Sequence, residues 1–127
     1  MNGICVRLVV GTLGELLVQA RLLQYDVQAS PPLKDSGNDL IAIRGSVMRA
    51  IQVKTTESGV YALPEEGTKY HILAAVRLVG GGRDVLFDSC EVFLILKEEL
   101  PGLPRSFNQI GHLKLSQERI DTLFPPD

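Results

Sequence analysis

Gln52 and Lys54, separated by one residue, are the side chains in this sequence best placed to do chemistry. In an extended segment, residues two apart lie on one face. Between Ala50 and Thr56, Ile51 and Val53 then point one way, and Gln52, Lys54 and Thr56 the other. A carboxamide beside an ammonium on a strand otherwise fit for burial is costly unless the groups are paired or ligated. Asp39 opens the preceding apolar segment and comes near the Gln52–Lys54 row across a tight hairpin, while Glu15 can reach it from a helix. Carboxylate and amide oxygens suit a hard cation such as Mg²⁺ or Mn²⁺, which takes one or two protein carboxylates and keeps several waters. Such a cation neutralises charge on a phosphate and lowers the pKa of bound water. A lysine beside it can orient or deprotonate the attacking water and stabilise the charge that develops. The chemistry implied is hydrolysis of a phosphodiester.

Positioning these groups falls to the first half of the chain. Residues 11–24 read as an amphipathic helix, with Leu13, Leu16, Leu17, Ala20 and Leu23 on one face and Glu15, Gln19 and Leu22 on another stripe. Gly11 and Gly14 are poor helix formers, and their expected use is close backbone approach beside Glu15. Asp26 to Ser30 reads as a short strand stopped by Pro31-Pro32, and Leu33 to Asn38 as a loop rich in turn residues. Asp39 to Arg44 and Val47 to Thr56 read as strands joined by a hairpin turn at Gly45-Ser46. Beyond them, Thr56 to Lys69 reads as an exposed excursion without a helical stripe. Tyr70 to Val79 reads as a continuous apolar strand, and Gly80-Gly81-Gly82 as a turn. Arg83 to Phe87 begins a return strand, Glu91 to Lys97 is another, and Ser116 caps a terminal helix reaching Phe124.

Singly, each of these polar residues is ordinary: a solvated strand residue, a turn aspartate, a helix-surface glutamate. Their order is more specific. The run from Gly11 to Thr56 resembles the core of the PD-(D/E)xK nuclease superfamily, in style nearest to archaeal Holliday-junction resolvases and to a homing-endonuclease variant carrying glutamine. Glu15 matches the helix acid of that family, Asp39 the motif aspartate within GNDLIAI, and Gln52-Val53-Lys54 the (Asp/Glu)-x-Lys element. The resemblance covers about residues 11–56 and departs from the pattern at Gln52, which replaces an acid, and in the helix after that strand, which is shortened or absent. It implies an α/β, restriction-endonuclease-like core: a mixed sheet of about five strands, an N-terminal helix packed on it and a short C-terminal helix, in one domain over residues 1–127. It also implies a Mg²⁺- or Mn²⁺-dependent endodeoxyribonuclease. Asp39 and Gln52 would hold the metal, the Val53 carbonyl would add a ligand, Glu15 would complete the shell directly or through water, and Lys54 would serve the water. The alternative is a catalytically inactive protein of the same fold that binds nucleic acid or protein.

Composition sets the frame for this reading. The chain has 127 residues, 45% hydrophobic and 22% charged, which suits one globular domain. A net charge of −2 argues against gripping nucleic acid by charge alone. Residues 1–63 carry six basic against five acidic side chains and residues 64–127 seven against ten, so a polyanion such as DNA is expected on the first half. No apolar run reaches the roughly 18 residues of a membrane span, and the apolar start has only Arg7 and no cleavage pattern, so the expectation is a cytoplasmic protein away from membranes. A homodimer is expected if two strands are cut, with Tyr70 to Val79 as a candidate interface or, in the plainer reading, core.

Cys5 and Cys90 are expected to be buried, reduced and inert. His71 and His112 offer no zinc spacing. The triple glycine lacks the strand–helix context of a phosphate loop. Asp84, Asp88 and Glu91 read as a solvated edge. Lys34, Arg44 and Arg49 are candidate phosphate contacts, the two arginines flanking the hairpin beside the site.

Overall fold

The computed structural model describes residues 6–34, 37–81 and 84–127. Its first element, α1 (Val6–Leu23), begins five residues before the expected start and runs through Gly11 and Gly14. Two glycines at about 1 kcal/mol each do not end a helix whose face is packed on a sheet. The buried stripe is only partly the expected one. Gly14, Val18 and Leu22 face inward, while Leu16, Ala20 and Leu23 are exposed. A glycine in the inward row brings the helix backbone close to the sheet, and Leu13 and Leu17 of the expected face pack, partly buried, beside that row. Leu22→Ala is therefore expected to cost about 3 kcal/mol in urea unfolding, and Leu16→Ala less than about 0.5 kcal/mol. Equal costs would contradict this orientation.

Asp26 is not the start of a strand. It takes the left-handed conformation (φ 64°) just beyond the helix. Val27 N–H donates to the Leu22 carbonyl and Asp26 N–H to that of Leu23, the pairing of a Schellman cap. Val27 then joins Leu22 in the core.

The strands are β1 (Gln28–Ser30), β2 (Leu40–Arg44), β3 (Val47–Thr56), β4 (Ile72–Arg77) and β5 (Glu91–Leu96). They form one mixed sheet in chain order, antiparallel except for the parallel β3–β4 pair. This is the expected α/β architecture, closed by α2 (Gln117–Leu123) with Ser116 accepting the Arg119 N–H as its cap. One sheet face packs against α1 and α2 through Ile51, Val53, Ile72, Ala74, Val76 and Leu94. The other face packs Leu73, Ala75, Phe93 and Ile95 against Tyr61, Phe107, Ile110 and Leu113. Covered on both sides, β4 reads as a continuous apolar run for the reason parallel strands usually do. Ile72 to Val76 are fully enclosed within the monomer, which removes this strand as a dimer interface.

Three further expectations are corrected. The return strand at Arg83–Phe87 is absent among the described residues. Leu86 N–H bonds back to the Val79 carbonyl, Phe87–Ser89 form a 3-10 turn, and the ladder resumes only where Glu91 pairs with Arg77. Gly82 and Arg83 lie outside the described residues. The excursion after β3 is not wholly exposed. Tyr61 is buried, its hydroxyl donating to the Pro104 carbonyl (2.7 Å), and Phe107 N–H donates to Gly59 (3.0 Å). Cys90 is a half-buried free thiol, not a fully buried one, and Cys5 lies outside the described residues. No helix among the described residues is long and apolar enough to cross a membrane.

Candidate metal and phosphodiester site

The site begins with the end of β2. The last paired residues of the β2–β3 ladder are Leu40 and Ile51. Asp39, one residue earlier, still donates its N–H to the Ile51 carbonyl (3.0 Å). Its side chain then takes over where the backbone ladder ends: Oδ2 accepts the Val53 N–H at 2.8 Å. A carboxylate is thereby fixed against β3, at the cleft that Asp39 lines.

Alternation on β3 does what the sequence pattern implies. Ile51 and Val53 enter the helix-side core. Gln52 and Lys54 stand on the other face, opposite Leu73 and Ala75 of β4. Asp39, Gln52 and Lys54 line one open cleft of about 270 Å³, together with Gly37, Asn38, Glu65 and Thr68. Lys54 also borders a second cleft of about 470 Å³ that holds Glu15, Val53, Arg7 and Glu57. The structure thus gathers three of the four expected side chains in one cleft and places Glu15 in the adjoining one. Glu15 remains within electrostatic reach of that cleft. Burial, and then the negative charge of Asp39, hold its carboxyl above the usual range.

That shift has a testable sign. A carboxyl whose pKa is raised on folding binds protons more tightly when folded, so stability falls as pH rises through the carboxylate range. Glu15→Gln is expected to be more stable than the wild type at neutral pH, with the gain vanishing well below pH 4.5, where both states are protonated. Thermal unfolding of both proteins in chelator across that range checks it. A constant difference would assign the effect to something other than ionisation.

Gln52 supplies the feature that bears on a ligand. Its Oε1 is buried and has no hydrogen-bond partner. Such an acceptor costs about 1–3 kcal/mol if nothing binds it. Hard divalent cations take oxygen donors, and the oxygens here are of that kind: the Asp39 carboxylate, the Gln52 amide and the Val53 carbonyl. Strand geometry turns that carbonyl to the same edge as the Val53 N–H held by Asp39. Among the described residues, no three His, Cys, Asp or Glu side chains converge as a metal-binding group. A donor set here would combine the Asp39 carboxylate with neutral oxygens such as the Gln52 amide.

Several residues stand elsewhere than expected. Arg44 and Arg49 project to the helix side, away from the cleft: Arg44 bonds Asp121 (2.7 Å) and the Phe124 carbonyl (2.9 Å), and Arg49 the Leu123 carbonyl (3.2 Å). They fasten the C-terminal helix. Lys34 is exposed and borders neither cleft. His71 is structural, its Nδ1 accepting the Ala50 N–H at 2.8 Å, and His112 sits in a 3-10 turn. Glu91 bridges Arg77 and Lys114. Conversely, Asn38, Glu65 and Thr68 were not anticipated at the cleft. The available signal was the path of the chain: a parallel β3–β4 pair forces the connection back across the sheet, and residues 57–71 make that return.

No protein-family model matches the sequence, and no curated protein sequence matches it. Among solved structures, a bacterial homing endonuclease, I-Ssp6803I, is similar with a TM-score of 0.53 at 14% identity, covering 76% of this chain and 69% of that one. The fold is shared with a nuclease.

Proposed function

We propose that this chain is a metal-dependent endonuclease of the PD-(D/E)xK kind, hydrolysing phosphodiester bonds in DNA. The observation that carries the reading is the buried, unpartnered Gln52 Oε1 beside Asp39, in a cleft shared with Lys54. The fold it has in common with a homing endonuclease supports DNA as the substrate. Asp39, Gln52 and the Val53 carbonyl would hold Mg²⁺ or Mn²⁺, with Glu15 acting directly or through water. A bound cation of this type neutralises phosphate charge and lowers the pKa of its water. Lys54, open to both clefts, orients the attacking water and takes or shares its proton. Asp39 is held by the Val53 N–H, so it meets a ligand without first reorganising.

The test is incubation of linear, branched and supercoiled DNA with the protein and Mn²⁺, alongside calorimetric titration of Mn²⁺ into the protein alone. Cleavage that chelator abolishes supports the reading, and no cleavage of any substrate removes it. A non-catalytic binding module is the second reading. It is favoured by the use of Arg44 and Arg49 to hold the C-terminal helix, which takes both from phosphate binding. Binding of DNA without uptake of Mn²⁺ selects it. Cutting both strands of a duplex would further call for a homodimer, which light scattering reads directly.

A further inference from the structure

α1 meets β3 at one very close point. A Cβ built on Gly14 would lie 2.8 Å from Thr55 Cβ and 2.9 Å from Thr55 Cγ2, and nearer still to Thr55 Oγ1. Those distances are too short for any real side chain at position 14. Thr55 is β-branched, so its χ1 is stiff and it has little room to turn aside within a strand. Its hydroxyl is buried there without a hydrogen-bond partner. The residue following Gly14 is Glu15, in the cleft that Val53, Lys54 and Thr55 border.

We infer that Gly14 and Thr55 form a seat that sets the depth of α1 on β3 and so brings Glu15 to the Asp39–Lys54 end of the strand. Both are positioning residues, acting through Glu15, and this rests on the reading of the cleft as a metal site. A helix lifted off the seat carries Glu15 away from Asp39. The element of Thr55 that matters is its shape, since the hydroxyl engages no donor or acceptor.

The experiment is a double-mutant cycle on Mn²⁺ affinity by calorimetry, using the full chain. Gly14→Ala is expected to weaken Mn²⁺ binding about tenfold, the scale of a lost supporting contact around a metal. In a Glu15→Gln background the same change is expected to alter affinity less than about twofold, because the group it positions is already gone. Gly14→Ala with Thr55→Gly, which clears the space for the new Cβ, restores affinity toward the Thr55→Gly level. Thr55→Val keeps the shape and retains wild-type affinity. An equal loss from Gly14→Ala in both backgrounds would mean general loosening and overturn the seat, as would unchanged affinity in Gly14→Ala. If Gly14→Ala does not fold, Thr55→Ile thickens the seat from the strand side and reads the same coupling. A wild type that takes up no Mn²⁺ would refute the functional reading instead. The seat is then decided by a crystal structure of either variant, where a Glu15 displaced by less than about 1 Å counts against it.

Discussion

Lys54→Ala is expected to lower DNA cleavage by about 10²- to 10⁴-fold, the range for loss of one group that handles the reacting proton. The mutant should still fold and still bind Mn²⁺. The argument rests on where the ammonium is. Lys54 lies on the face opposite the helix-side core, paired across the sheet with Ala75, and borders both clefts. None of the ion pairs among the described residues involves it. Truncation therefore breaks no salt bridge, and stability is expected to change by less than about 0.5 kcal/mol. An ammonium repels a cation, so its loss does not weaken metal affinity. The diagnostic is the split: Mn²⁺ titration unchanged, melting temperature unchanged, turnover nearly gone. Cleavage by Lys54→Ala at the wild-type rate on every substrate would remove Lys54 from the chemistry. Parallel loss of metal binding and folding would give it a structural role instead.

What could be read from sequence follows the range of the interactions involved. Asp39, Gln52 and Lys54 were legible because a two-residue turn and strand alternation fix their placement locally, with Leu40 opposite Ile51. The inward stripe of α1 was only partly so. Leu16 and Leu23 resemble core residues by type yet are exposed, while Val18 and Leu22 are buried in line with Gly14, and Leu13 and Leu17 pack beside them. Asp26 was misread because a strand start and a helix cap use similar residues. Its positive φ is a conformation that Asp tolerates better than most side chains. Arg44 and Arg49 resembled phosphate ligands because their partners lie over 70 residues away in α2 and just beyond it. No local pattern announces such a pair. Glu65 reaches the cleft for a similar non-local reason, through a loop whose course is set by Tyr61 docking on residues 104–107.

Gln52 sets the second large effect, and here stability and function are expected to move in opposite directions. Gln52→Met keeps the length and approximate shape of the side chain and deletes the amide. The wild-type Oε1 is buried without a partner, so replacing it should stabilise the metal-free protein, by about 1 kcal/mol given the cost of an unsatisfied acceptor. The same replacement removes a donor from the cation, and Mn²⁺ affinity should fall tenfold or more, since even outer contacts to a metal are worth about 10- to 100-fold. Cleavage then falls with metal occupancy. Gln52→Glu gives the reverse pattern. It places a second carboxylate in the cleft that Asp39 lines, where like charges oppose folding at neutral pH in chelator. In Mn²⁺ that added charge becomes a ligand and tightens binding. Chemical unfolding of the three proteins with and without Mn²⁺ separates these outcomes. The expected order of stability in chelator is Met above Gln above Glu, and the expected order of Mn²⁺ affinity is the inverse. If Gln52→Met loses stability in chelator, the amide serves the fold and is not a metal donor kept at the expense of folding. If all three proteins bind Mn²⁺ equally, the cation sits elsewhere. The inverse ordering is what a residue kept for binding at the expense of folding should produce, and a solvated strand glutamine would produce neither half of it.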